Sequence, residues 1–168
     1  MHETPDDLRQ LQQLLDASYE SAGPHLHEVI TPERRLTAEQ VAATLTGMRL
    51  LVLATATKDG RPIAGPVDSI FYRGSFYFGS SPESVRFKHI AKRPWVSATH
   101  LPGEELSVTV HGRATAVDVK SPGQADVRQA LLDVYIPLYG ESWATFLDSG
   151  PVYARIDADR MFTFSMES

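Results

Sequence analysis

The amino-acid sequence predicts an α+β fold, mainly β, in which about seven antiparallel strands form a small barrel with flanking helices. The first reason is length, because 168 residues correspond to one domain of ordinary size. The second is a series of short apolar, β-branched runs separated by tight turns, which is typical of antiparallel strands. Closure into a barrel is expected because so many short strands in one domain must protect their edges.

Composition excludes several classes of protein and site. Hydrophobic residues make up 42% and charged residues 22% of the chain, which is typical of a folded globular domain. The chain has no cysteine, and this rules out disulfides, thiolate nucleophiles and Cys-ligated metals.

Charge and hydropathy give expectations about partners and location. The net charge is −5, and residues 1–47 hold three Arg against eight Asp or Glu. Such a chain lacks the basic field of a nucleic-acid-binding protein, so no nucleic-acid partner is expected. No apolar run reaches the roughly eighteen residues of a membrane span, so no membrane partner is expected. The acidic N-terminus differs from a secretory signal and favours a cytoplasmic location.

Two helices are predicted before the first strand. Leucines recur at helical spacing after a Thr4-Pro5 start and predict a helix over residues 5–19, which Gly23-Pro24 ends. A polar connector then leads to a capping-box pattern at residues 37–40 that opens a second helix ending near Gly47. We therefore interpret residues 1–36 as an N-terminal helical arm and residues 37–168 as the barrel, within one compact domain overall.

The first three strands are predicted as a meander. Residues 50–57 and 62–72 form apolar runs joined by a Lys58-Asp59-Gly60 turn. A second turn leads to residues 75–79, where Phe76 and Phe78 share one face and Tyr77 lies on the other.

The rest of the chain alternates helices and strands. Ser81 and Pro82 predict a helix start before two further strands at residues 95–101 and 106–117, and in the second strand the alternate positions from Leu106 to Ala116 are predicted to be buried. A second capping-box pattern at residue 121 opens a helix ending near residue 137 or 140, followed by a short amphipathic piece. The tail, with runs at 152–156 and 161–164, predicts a terminal hairpin or a bent pair of strands.

The junction from Phe78 to Lys88 carries the clearest chemical signal. Backbone N–H groups at a helix start, serine hydroxyls including that of Ser84, and the guanidinium of Arg86 converge there, which favours a bound phosphate. The alternative is an ordinary helix start, since Glu83 in the same turn would repel a dianion.

The sequence contains none of the common catalytic motifs that we sought and no complete set of metal ligands. The chain lacks the nucleophile-elbow, phosphate-loop, dinucleotide-binding and zinc-protease patterns. His25 and His27 beside Glu28 form a possible metal pair, but no third ligand is identified, so a solvated loop is the preferred interpretation and no metal site is assigned.

The order of segments resembles a known family. A strand ending Leu53-Ala54-Thr55, the Lys58-Asp59-Gly60 turn, the aromatic strand Phe76-Tyr77-Phe78 and the stretch from Ser84 to Ile90 follow one another as in the flavin-binding split-barrel family related to pyridoxamine 5'-phosphate oxidase. The resemblance covers about residues 40–118, and residues 150–166 more loosely. It implies a split β-barrel of the FMN-binding type.

The resemblance also implies a cofactor site. Ser84-Val85-Arg86 matches the family's Ser-x-Lys pattern, with Arg86 in the place of the lysine that grips the flavin phosphate. Two further stretches match the phosphate cradle and the strand beside the isoalloxazine ring. These are Phe78, Gly79, Ser80 and Ser81 for the cradle, and Pro66, Val67, Asp68 and Ser69 for the strand. For the strand alone, plain barrel wall is the alternative.

The activity implied is that of an FMN-dependent oxidoreductase acting on a small organic substrate, in a homodimer with the cofactor near the interface. One alternative is a reductase that uses the deazaflavin coenzyme, which the basic residues Lys88, Lys92 and Arg93 leave open. Another is a non-catalytic flavin- or haem-binding protein. No catalytic side chain is assigned, because the flavin carries the chemistry. Four aromatic residues are candidates for the pocket, for the core or for dimer packing: Tyr135, Tyr139, Trp143 and Tyr153.

Overall fold

A computed structural model describes residues 2–166 of the chain. The helices are α1 (Pro5–Glu20), α2 (Pro24–Val29), α3 (Ala38–Thr44), α4 (Val85–Ile90), α5 (Ala125–Tyr139) and α6 (Ser142–Ser149), with 3₁₀ turns at Pro32–Arg34 and Pro122–Gln124. The strands are β1 (Met48–Ala56), β2 (Pro62–Tyr72), β3 (Ser75–Ser80), β4 (Trp95–Gly103), β5 (Leu106–Val117) and β6 (Val152–Ser165). Within the described residues, none of these helices combines the length and apolar character needed to cross a membrane.

The strands form a closed antiparallel barrel in the order β1-β2-β3-β6-β5-β4, which confirms the predicted fold class. The tail, however, is one long strand and not a hairpin. A β-bulge at Asp159 shifts the register, so that His111 pairs with Arg160 while Gly112 pairs with Ala158. The acidic stretch that resembled a turn is therefore a bend within β6, which a bulge produces without ending the strand.

Glycine is required beside this bulge. A Cβ added to Gly112 would lie 2.1 Å from the carbonyl oxygen of Asp157. The backbones of β5 and β6 thus approach too closely there for any side chain.

The barrel has an inner core and an outer one. Phe76 and Phe78 lie in the inner core, whereas Tyr77 belongs to a second apolar cluster with residues of α5 and α6, as the alternation predicted. On β5 the predicted alternation continues through Ala114 and fails at Ala116, which is exposed. The two helices after β5 therefore cover one outer face of the sheet and are held there by apolar packing.

Helix α1 is part of the inner core. Its residues Leu11 and Leu15 are buried in the same cluster as the barrel interior, so the segment predicted as an arm packs directly against the strands. Asp7 contributes to both its own helix and the barrel, because it completes the capping box with Thr4 and pairs with Arg73 in the β2–β3 turn at 3.0 Å.

Three local predictions were wrong for local reasons. Gly23-Pro24 ends α1, but the proline then begins α2, since proline is tolerated in the first turn of a helix. Helix α4 begins after Ser84, whose Oγ accepts the Phe87 N–H, and not after Ser81. The pattern at residue 121 forms a 3₁₀ turn instead of a capping box, although α5 ends at Tyr139, before Gly140, as predicted.

The end of α1 occupies an open strand edge. Strand β6 pairs with β3 only over residues 152–155, so the edge beyond them has no strand partner. Side chains of α1 take that place: Met161 N donates to Ser18 Oγ at 2.9 Å, and Thr163 N donates to Tyr19 Oη at 2.9 Å. The Tyr19 hydroxyl in turn donates to the Thr163 carbonyl at 2.5 Å.

Replacing Tyr19 with Phe tests this edge contact. The ring keeps its shape, but the buried N–H and C=O of Thr163 lose their partner, so Tyr19→Phe is expected to lower the free energy of unfolding by about 1–3 kcal/mol. Urea denaturation measures the change. Tyr139→Phe is the matched control, because Tyr139 is 58% exposed. Equal stability of the two variants would contradict the role given to the Tyr19 hydroxyl.

Candidate functional site

The described residues line an open cavity of about 610 Å³, which is within the usual range for small-molecule sites. Strand β2, the junction between β3 and α4, helix α6 and the start of β6 surround it. The lining consists of Leu53, Thr55, Ile63, Ala64, Gly65, Pro66, Val67, Asp68, Gly79, Ser80, Ser81, Ser84, Val85, Arg86, Trp143, Phe146, Pro151 and Tyr153.

The cavity brings together all the residues predicted for the cofactor site except Ser69 and Phe78. Both of these are fully buried. Ser69 Oγ donates to the Arg49 carbonyl at 2.8 Å, and the Phe78 ring packs against Phe87. Their side chains point into the barrel, because neighbouring positions on a strand face opposite sides.

Strand β2 presents an open edge over residues 62–68. These residues pair with β1, but pairing with β3 is confined to residues 69–72. The carbonyl of Pro66 points away from β1 and accepts a hydrogen bond from Arg86. Since backbone groups alternate between the two edges of a strand, the N–H and C=O of Ala64 and Asp68 point the same way. Proline itself is tolerated at such an edge because it has no N–H to leave unpaired.

Arg86 connects this edge to helix α4. Its Nη2 donates to the Pro66 carbonyl at 2.8 Å, which uses one of the five N–H donors of a guanidinium. Glu83, which could have repelled an anion here, instead forms an ion pair with Lys88 at 3.0 Å. The Arg86 guanidinium is therefore the positively charged group in the described cavity wall.

The serine residues of the β3–α4 turn have defined roles. Ser81 Oγ accepts the Glu83 N–H at 3.2 Å, and Ser84 Oγ accepts the Phe87 N–H at 3.4 Å. The Ser84 N–H donates to the Ser81 carbonyl at 3.0 Å. Three backbone amides of this junction, those of Glu83, Ser84 and Phe87, are thus used within the protein. The serine hydroxyls can still donate, because each acts only as an acceptor in these bonds.

The other basic residues of this region lie outside the lining. The ring of His89 bonds through Nδ1 to Thr55 Oγ1 at 2.9 Å, and Arg93 Nε donates to the Ala56 carbonyl at 2.8 Å. Lys88 is engaged with Glu83. These contacts attach α4 to β1 and fix the position of Thr55 in the cavity wall.

Aromatic residues form the α6 side of the cavity. Trp143 and Phe146 line it together with Tyr153 from β6, whereas Tyr135 lies behind Trp143 with its ring stacked at 4.6 Å. Tyr139, also a candidate in the sequence, is exposed and does not line the cavity. Phe146 was missed as a site residue because the sequence shows that α6 is amphipathic but not which element it faces.

Gly79 allows Tyr153 to lie across β3. A Cβ at position 79 would lie 2.6 Å from the Tyr153 ring, so only glycine admits this packing. Burial, reinforced by the carboxylate of Asp68, raises the pKa of the Tyr153 hydroxyl well above its ordinary value. Burial and a hydrogen bond to the same carboxylate raise the pKa of Tyr135 further still. Both hydroxyls are therefore neutral hydrogen-bond donors at physiological pH.

The histidine pair considered as a metal site is not assembled. His25 and His27 lie on α2, where positions two apart face different sides. The ring of His27 bonds to the Tyr19 carbonyl at 2.6 Å. No cluster of three potential metal ligands occurs among residues 2–166.

Solved structures with the same fold come from several bacteria. The conserved hypothetical protein Rv2991 of Mycobacterium tuberculosis has a TM-score of 0.65 at 18% identity, covering 81% of this chain and 89% of that one. The heme storage protein HutZ of Vibrio cholerae has a TM-score of 0.61 at 16% identity, with 83% and 99% covered. An FAD-binding protein of Mesorhizobium loti has a TM-score of 0.57 at 23% identity, with 77% and 93% covered.

These identities are low enough that the three likenesses show the fold alone. A search of the curated proteins finds no match. The sequence model of the family described as pyridoxamine 5'-phosphate oxidase matches residues 37–139, which is more than half of the chain. The matched segment contains β1 to β5 and most of the cavity lining. The chain therefore belongs to the pyridoxamine 5'-phosphate oxidase family.

Proposed function

We propose that the chain binds FMN in the 610 Å³ cavity and acts as a flavin-dependent oxidoreductase on a small organic substrate. One observation carries the proposal: the open edge of β2 and the Arg86 side chain meet at the same cavity. A strand edge offers backbone donors and acceptors in a row, and a guanidinium binds phosphate. Family membership supports the same ligand.

The residues present fit a ligand with one anionic end and one flat end. Arg86 and the hydroxyls of Ser80, Ser81 and Ser84 would hold the phosphate. The backbone of Ala64 and Asp68 would bond to the polar rim of the flavin ring. This division follows from where the polar side chains and the open edge lie along the lining.

The protein's own contribution is binding and orientation. When bound, FMN would supply hydride or electron transfer, which is the chemistry of the cofactor. The backbone donors fixed in β2 would orient the ring and tune its electronics. Trp143 and Tyr153 would exclude water from one side of the cavity. None of these roles requires a side-chain acid or base.

Two alternative ligands are less well supported. A deazaflavin coenzyme carries a long anionic tail, but Lys88 and Arg93 are engaged in other contacts outside the lining. Haem is named as the ligand of two proteins with the same fold, a heme storage protein and a heme binding protein. The described residues of the cavity lining include no His, Cys or Met, the common axial ligands of haem iron. Both observations favour FMN.

The bound chromophore identifies the ligand directly. Protein purified without dialysis is expected to show flavin absorption and to release FMN, identified by mass, on heating. A Soret band, or a released deazaflavin, would contradict FMN as the ligand. If the purified protein is colourless, titration with FMN replaces this measurement, and failure to bind it would overturn the proposal.

Arg86→Ala tests the phosphate contact. Loss of a charged hydrogen bond is expected to weaken FMN binding by about 1.5–3 kcal/mol, measured by quenching of flavin fluorescence. Riboflavin, which lacks the phosphate, is expected to bind both proteins alike. Lys92→Ala is the control, because Lys92 is a basic residue of the same region outside the lining. Equal weakening of FMN and riboflavin would show that Arg86 acts only by holding β2.

We also propose that the chain forms a homodimer through the outer faces of β1 and β4. Four large apolar side chains are more than half exposed there: Leu50, Val52, Trp95 and Leu101. Large exposed apolar side chains on one face of a sheet are typical of an interface.

Light scattering tests the dimer. The wild-type protein is expected to have twice the mass of the chain, and Val52→Lys to have the mass of one chain. Val29→Lys serves as the control, because Val29 is also exposed but lies on α2. A wild-type protein with the mass of one chain would contradict the interface.

A further inference from the structure

The aromatic side of the cavity is built as a rigid stack. The ring of Tyr139 is parallel to that of Tyr135 at 6.0 Å, and Tyr135 is parallel to Trp143 at 4.6 Å. The Phe146 ring lies 6.2 Å from Trp143 and is tilted to it by 50°, so it adjoins the stack without being parallel to it. Because Tyr135 supports Trp143 from behind, the indole has little freedom to rotate out of the cavity wall.

Phe146 differs in exposure from Trp143, the other ring of this row that lines the cavity. Trp143 is 8% exposed, whereas Phe146 is 53% exposed although it lines the same cavity. An exposed aromatic ring at the mouth of a cavity offers a free face for stacking. The α6 side of the cavity can thus hold a second flat ring beyond the parts assigned to the flavin.

The cavity lining carries one negative and one positive side chain. Asp68 and Arg86 are the charged side chains that the described lining contains. Arg86 is bonded to Pro66 near the β3–α4 turn, whereas Asp68 lies beside Tyr135, the ring on which Trp143 stacks. A carboxylate therefore flanks the aromatic surface, and it repels any bound group of negative charge.

We propose that Trp143 and Phe146 bind a flat aromatic substrate that carries no negative charge, and that Asp68 imposes this selection. The proposal rests on the proposed function, because it assigns the β2 edge and Arg86 to the flavin. It names the class of the second molecule: an uncharged or cationic planar aromatic compound, in contrast to an aromatic carboxylate or phosphate.

Two probes of the same shape test the charge selection. 2-Naphthamide and 2-naphthoate differ by the charge of one small group, and calorimetry on the FMN-loaded protein gives both affinities. The amide is expected to bind about 5-fold more tightly, the ratio that corresponds to repulsion between two neighbouring unit charges in water. In Asp68→Asn the ratio is expected to fall to about one. Equal affinities in the wild-type protein would overturn the proposal.

Phe146→Ala tests the stacking surface. The variant is expected to bind 2-naphthamide about 3- to 10-fold more weakly, which corresponds to the loss of one aromatic pair. Tyr139→Ala is the control, because Tyr139 belongs to the same row of rings but lies outside the lining. Equal loss in both variants would overturn the role of Phe146.

Tryptophan emission gives an independent readout. The chain has two tryptophans, and Trp95 on the outer face of β4 is 58% exposed. In the Trp95→Phe background, emission reports on Trp143 alone and is expected to change when 2-naphthamide binds. Binding without any change in that emission would place the probe elsewhere and overturn the proposal.

The two proposals fail separately. If 2-naphthamide binds only to flavin-free protein and FMN displaces it, the aromatic surface holds the flavin ring. That result overturns the substrate surface but leaves the proposed function intact. If the protein binds no FMN, the proposed function is wrong. The ratio of the two naphthalene affinities, measured on the same protein, then supports or overturns the aromatic surface by itself.

Discussion

Unpaired backbone groups at strand edges are the constraint on which this structure depends. In this six-strand barrel, a stretch of β6 and a stretch of β2 are each paired on one side only. Buried N–H and C=O groups must have partners, and the two stretches are treated differently. Helix α1 supplies hydroxyls to the edge of β6, whereas the edge of β2 faces the cavity. One edge is closed by the chain itself and the other is available to a ligand.

The site is largely formed before any ligand binds. Arg86 bonds to β2, Ser81 and Ser84 complete the turn, and apolar packing of α5 and α6 against β2 and β3 fixes the aromatic side. Each wall is therefore held by contacts within the protein. Groups that are already ordered lose less conformational entropy when a ligand arrives, so such a site can bind with fewer direct contacts.

Sequence patterns predicted the strands well where local physics determines them. The bounds of β2 and the opposite faces of Phe76 and Tyr77 follow from alternation and tight turns alone. The bulge at Asp159 depends on how closely β5 approaches, which no local pattern shows. Ser69 and Phe78 were assigned to the cofactor site as members of matching stretches, although alternation turns their side chains inward. Phe146 could not be found, because its place in the site depends on the packing of α6 against distant strands.

The hydrogen bonds between α1 and β6 have a consequence for how the chain folds. Tyr19 and Thr163 are 144 positions apart, so α1 can form its own turns early but cannot reach its final partners until β6 is in place. Contacts of such long sequence separation slow folding, and until they form, the edge of β6 is free to pair with another chain. The same hydroxyls that complete the native barrel therefore also set the period during which a newly made chain is most prone to aggregate.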